Sequence, residues 1–102
     1  MSRVALLAVI MMAAAAPVRA QGDPEVGREL ALRWCTSCHV VDLEGHGADA
    51  GPPLPALLGD GQRTPDEIRG WLAEPHPPMP NFDMSRQEIE DIVAYLESLA
   101  GQ

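Results

Sequence analysis

The sequence predicts a small all-α domain, and three observations carry that expectation. Two capping boxes, Thr64-Pro65-Asp66-Glu67 and Ser85-Arg86-Gln87-Glu88, each open a run of apolar residues at helical spacing. A third helix start, Asp23-Pro24-Glu25, leads into Val26, Leu30 and Trp34, which recur every four residues. Nothing in the remainder reads as a βαβ unit.

The first twenty residues stand apart. Arg3 supplies a basic start, an apolar run of thirteen residues extends from Val4 to Ala16, and Val18-Arg19-Ala20 is a small-residue cleavage pattern. The run falls short of the ~20 residues a membrane-spanning helix needs, so residues 1–20 read as a cleaved secretory signal peptide. Gln21, not Cys, follows the cut, which argues against a lipid-modified N-terminus. What remains, residues 21–102, is one soluble domain of 82 residues, near the size at which an apolar core alone is marginal and a staple is needed. Only Trp34, Trp71, Phe82 and Tyr95 are aromatic, consistent with a core whose largest flat apolar object is not a side chain.

In the first helix Asp23 is placed to cap, Pro24 suits the first helical position, and Glu25 favours the positive end of the helix dipole. Gly27 interrupts the helix at a cost of about 1 kcal/mol against Ala, and the missing side chain would let another helix cross closely there. The helix runs straight into Cys35-Thr36-Ser37-Cys38-His39. Two thiols three residues apart on one helical turn can each form a thioether to one vinyl group of a haem, and the adjacent His39 can then reach the iron. The same pentapeptide could instead be a dithiol redox pair, half of a zinc site or a local disulfide. No βαβ context or second Cys pair accompanies it, and a helical three-residue spacing is poor disulfide geometry. Covalent haem attachment is the favoured reading.

Residues Val40 to Gly59 show no period and read as a loop, with Gly45, Gly47, Gly51 and the run Pro52-Pro53-Leu54-Pro55. A loop of this length is unusual in so small a domain unless it wraps a cofactor. His46, between two glycines, reads as solvated. The Thr64 capping box starts a short helix with Ile68, Trp71 and Leu72 facing inward until Pro75 ends it. Trp71 is a core residue on the simplest reading; its indole N–H could also reach a haem propionate.

The strap His76-Pro77-Pro78-Met79-Pro80-Asn81-Phe82 cannot be helical, and its prolines reduce the entropy lost when a ligand within it is fixed. Beyond the leader the chain has two methionines. Met84 precedes the Ser85 cap and is matched with Ile89 as a hydrophobic staple. Met79 has no such role, and a thioether sixth ligand to iron would give it one; His76, three residues away, is the competing imidazole. The last helix runs from Ser85 to about Leu99 with Ile89, Ile92, Val93, Leu96 and Leu99 on one face. Glu88, Glu90, Asp91 and Glu97 are expected to be solvated, Tyr95 to lie beside the stripe, and Gly101 to follow its end.

These features together resemble a small class I bacterial cytochrome c, and the resemblance covers all of residues 21–102. It implies N- and C-terminal helices crossing near Gly27 and Tyr95 around one covalent haem c. Cys35 and Cys38 would carry the thioethers, His39 would be the proximal ligand and Met79 the distal one. Pro52, in the element Gly51-Pro52, would offer its carbonyl to the other nitrogen of His39. The function implied is one-electron transfer in the periplasm between redox proteins, not enzymic catalysis. A haem subunit of a larger oxidoreductase complex and an open-site haem protein are the alternatives, with a zinc-stabilised interaction module as a non-redox one.

All seven basic residues are Arg; with Arg3 and Arg19 removed, five face fifteen acidic residues, a formal charge of −10. Such a surface repels nucleic acid and anionic lipid and suits basic-surfaced redox partners. Many carriers of this type dock through a ring of Lys, whereas this chain has none. If the acidity steers docking, the bimolecular electron-transfer rate should fall as added salt shortens the Debye length below ~10 Å. A rate flat from low to high ionic strength would reduce the acidity to a solubility role.

Overall fold

A computed structural model describes residues 21–59 and 63–102; the leader reading of residues 1–20 lies outside the described residues. Four helices follow in order: α1 Pro24–Trp34, α2 Leu54–Gly59, α3 Pro65–Ala73 and α4 Arg86–Ala100. Among the described residues the only extended pairing is an isolated bridge between Val40 and Gly47, and no helix is long and apolar enough to cross a membrane. The all-α expectation holds.

The helix starts form as the sequence reads. Asp23 accepts from the Glu25 amide at 2.9 Å. Thr64 and Ser85 each complete a reciprocal capping box with Glu67 and Glu88, satisfying amide donors that a helix start leaves open. The residues expected as one long loop are broken by α2. Pro55 sits in its first turn, where no amide hydrogen is needed, and Leu54, Leu57 and Leu58 present an i, i+3, i+4 face, with Leu54 buried.

The core joins Leu30, Ala31 and Cys35 to Val41, Leu54, Ile68, Leu72 and the inward face of α4, which contributes Ile89, Ile92, Val93, Tyr95, Leu96 and Leu99. Its centre is the contact of α1 with α4. The buried face of α1 is Gly27, Leu30 and Ala31, while Val26 is 39 % exposed, a rotation of the stripe expected from the four-residue spacing. The cause is the crossing itself: a Cβ on Gly27 would collide with the Asp91 carbonyl and lie 2.8 Å from the Tyr95 Cβ. The crossing near Gly27 and Tyr95 therefore forms as expected, and the backbone contact turns Val26 outward.

Asp91 departs from the sequence reading. It is 5 % exposed rather than solvated, and its Oδ1 accepts from the Asp23 amide at 2.8 Å and from Gln87 Nε2 at 2.9 Å. A buried carboxylate is tolerated when it is hydrogen-bonded, and here it also faces the positive end of α1. Nearby, Arg69 of α3 grips Glu90 of α4 with Nε and Nη2 at 2.8 and 3.2 Å, a partly exposed pair worth at most about 1 kcal/mol.

Replacement of Gly27 tests the crossing. Gly27→Ala adds helix propensity of about 1 kcal/mol but sets a methyl against helix backbone, which no side-chain rotation relieves. We expect a net loss of about 2 kcal/mol in denaturant unfolding of the holoprotein, whereas a gain in stability would show that the helices are not held this closely.

Candidate functional site

Helix α1 ends at Trp34, and the next five residues form a single further turn in which the Cys38 and His39 amides donate to the Cys35 carbonyl at 3.2 and 2.9 Å. Both thiols are free; Cys35 is buried and Cys38 exposed. Burial, with Cys38 adding to it, pushes the Cys35 thiol up to about 11.

The chain after His39 returns onto this turn. Ala48 donates to the carbonyls of Thr36 and His39 at 3.0 and 3.2 Å, Ala50 and Gly51 both donate to Cys38 at 2.9 and 2.7 Å, and Leu54 donates to Val40 at 2.8 Å. Carbonyls left open beyond the end of a helix are thus taken up by loop amides. Gly47, at φ +115°, permits the turn-back, since a Cβ there would strike the His39 carbonyl.

The return places Pro52 at the imidazole: His39 Nδ1 lies 2.6 Å from the Pro52 carbonyl oxygen. A carbonyl only accepts, so Nδ1 carries the proton and Nε2 keeps its lone pair for a metal. Gly51 lies against the same ring. A Cβ on it would be 2.6 Å from Cε1 and 2.9 Å from Nδ1, so the backbone forms a cradle that only glycine leaves open. Two free thiols on one turn and an imidazole held in the metal-binding tautomer are the donor set a covalent haem requires, and these residues fit that group.

A second set of contacts fixes the base of the loop. Tyr95 donates its buried hydroxyl to the Val41 carbonyl at 2.7 Å, and burial is the main reason its phenol is pushed up and remains a donor. Asp42, also buried, accepts from the His46 amide at 2.9 Å and lies 2.6 Å from His46 Nδ1. The His46 amide foremost, opposed by burial and aided by the His46 ring, holds the Asp42 carboxyl below the usual carboxylate range. His46 is exposed, as expected, yet engaged with Asp42 across the turn.

Of the residues singled out from sequence, the structure brings Cys35, Cys38, His39 and Pro52 together. Met79 is half-buried on its strap and packs against the core cluster that contains Cys35. His76 is exposed and set edge-on to Trp71, with ring centres 4.5 Å apart. Trp71 is 37 % exposed rather than turned fully inward, and the Arg63 guanidinium lies 4.0 Å from its ring centre. Sequence reasoning missed the anchoring role of Asp42, the partner of Tyr95 and the stacking of Trp34 on Phe82. A buried phenol needs a partner, which was a signal for the second of these.

Comparison with known proteins agrees with this donor set. Residues 22–96 match the family described as cytochrome C oxidase, cbb3-type, subunit III. The chain is 39 % identical over 95 residues to a protein named cytochrome c-552 from Bradyrhizobium diazoefficiens, covering 89 % of this chain and 88 % of the relative. It is 31 % identical over 81 residues to one named cytochrome c-553-like from Synechocystis sp., covering 78 % and 71 %. The chain belongs to the c-type cytochromes: it is a small monohaem electron-transfer protein with covalent haem c, and not an enzyme. The zinc and dithiol readings of the pentapeptide give way.

The cradle is tested by Gly51→Ala. The added methyl must displace either the His39 ring or the backbone that bears Pro52, and a haem iron held by that ring would be held less firmly. We expect a lower midpoint for haem-monitored unfolding, by about 1 to 3 kcal/mol, and a changed reduction potential. An unchanged potential with unchanged stability would mean the ring is not confined by Gly51.

Proposed function

We propose that the chain is a periplasmic one-electron carrier whose iron is held between His39 and Met79, exported by residues 1–20 and then shuttling between redox proteins. Cys35 and Cys38 hold the group covalently, Pro52 sets the His39 tautomer, and Trp71 serves a propionate through its indole N–H. The bound haem supplies the one-electron Fe(III)/Fe(II) couple. The observation that carries this reading is the contrast on the strap: Met79 packs against the cluster containing Cys35, whereas the competing imidazole of His76 is exposed and engaged by Trp71.

The roles of the protein groups follow from their chemistry. The Pro52 carbonyl keeps His39 oriented and slightly more basic, as a hydrogen-bonded partner of a metal-bound imidazole does. A neutral thioether from Met79 favours the reduced state relative to a second imidazole or water and raises the potential. With His39 and Met79 both committed to holding the haem iron, the group would supply one-electron exchange and no site would be left for a substrate on it. The acidic surface, with a formal charge of −8 for the whole sequence and −10 without the leader, favours basic-surfaced partners.

A second reading is supported by the matched family description, which names an oxidase subunit: the same haem domain would then be a fixed member of a larger redox complex. Gel filtration of native periplasmic extract at physiological salt separates the two. A free carrier elutes as a small protein and a fixed subunit with its complex.

Met79→Ala tests the axial assignment. The variant should lose the weak far-red absorption of sulfur-ligated ferric haem, fall in reduction potential and bind carbon monoxide in the ferrous form. Met84→Ala should retain all three wild-type properties and lose about 0.5 to 2 kcal/mol of stability, the scale of a small packing or capping contact. Survival of the far-red band in Met79→Ala, with its loss in Met84→Ala, would transfer the ligand role to Met84.

A further inference from the structure

The strap that bears Met79 is tied to the rest of the protein by rings placed symmetrically about that residue. Three positions before Met79, His76 meets Trp71 of α3 edge-on, with planes inclined by 62°. Three positions after it, Phe82 stacks on Trp34 with ring centres 5.7 Å apart and planes only 11° from parallel. Trp34 is the last residue of α1 and the covalent neighbour of Cys35.

Among the described residues, the hydrogen bonds within 75–84 are internal to the strap: the Met79 amide donates to the His76 carbonyl at 3.0 Å, and the Asp83 amide to Asn81 Oδ1 at 2.8 Å. These bonds and the prolines stiffen the segment but do not set its distance from the pentapeptide. A stiff strap can still swing as a body about its ends. Its placement rests on side-chain contacts, and the two ring pairs differ in kind. His76 is exposed and Trp71 more than a third exposed, whereas Trp34 and Phe82 are both half-buried and Trp34 packs against the same core cluster as Met79.

We propose that the Trp34–Phe82 stack is a positioning clamp for Met79, one that rests on Met79 being the sixth ligand. Because Trp34 is bonded directly to Cys35, the stack references the ligand strap to the turn that carries the haem, without passing through α3 or α4. Offset near-parallel rings lose most of their contact when they separate, so the clamp opposes the outward swing that would release the thioether from iron. Neither residue touches the reacting centre in this role; both act through Met79.

The test titrates ferric holoprotein with imidazole, which competes with Met79 for the iron. Trp34→Ala and Phe82→Ala should each strengthen imidazole binding about three- to tenfold, the range of one aromatic pair, and the double variant should add little beyond either single one. Trp34→Phe should restore most of the wild-type affinity. Asp23→Ala, which removes the N-cap at the opposite end of α1 from Trp34, should lower thermal stability and leave imidazole affinity unchanged. Should Trp34→Ala fail to mature, Phe82→Leu keeps apolar bulk without a ring and is expected to show the same gain. Unchanged affinity in the Trp34 and Phe82 variants, or an equal gain in Asp23→Ala, overturns the clamp while leaving Met79 as ligand. Absence of the sulfur-ligand absorption in the wild type overturns both together.

Discussion

The hydrogen bond between His39 and the Pro52 carbonyl is the constraint to which the rest of the structure is subordinate. An imidazole has two nitrogens, and one must be committed before the other can be a reliable ligand. The commitment requires the chain to leave His39, turn within a dozen residues and return a carbonyl to the ring. Gly47 and Gly51 make the return sterically possible. The amides of Ala48, Ala50 and Gly51 hold it in place on the carbonyls of Thr36, Cys38 and His39. Tyr95 secures Val41 from behind, and Asp42 closes the turn through His46. The loop is therefore a rigid part of the site, although it contains almost no regular structure.

Much of this architecture was legible because the signals were local. Capping boxes, a Pro at a first helical position and the Cys-Thr-Ser-Cys-His turn each depend on residues within one or two helical turns. Gly27 was legible for a different reason: a helix tolerates a glycine in its interior at a cost, and that cost has an evident use where two backbones meet. The readings that failed depended on partners distant in sequence. Asp91 looked like one more surface carboxylate until the Asp23 amide, 68 positions away, was found at its oxygen. Val26 fitted the four-residue spacing, but the backbone contact at Gly27 rotated α1 away from it. The short helix α2 was hidden by its prolines, which usually mark loops, and was revealed by the leucines between them.

The site divides along the same line. The two cysteines and His39, the residues proposed to hold the haem, are contiguous and could be singled out directly. Pro52 came from resemblance to a family, because nothing in an isolated Gly-Pro pair says which ring nitrogen its carbonyl will meet. Met79 was separable from Met84 by elimination of structural roles, a reading that depends on the helix cap at Ser85. The ring pairs about the strap were invisible: Trp34 and Phe82 lie far apart in sequence and each has an ordinary explanation as core.

One turn of α4, from Asp91 to Tyr95, receives the start of α1, the Gly27 crossing and the loop behind His39. These contacts span most of the chain, and non-local contacts form only when both partners are available. A single opening of this turn would release the start of α1, the helix crossing and the back of the His39 loop together, so three parts that look separate along the chain form one cooperative unit.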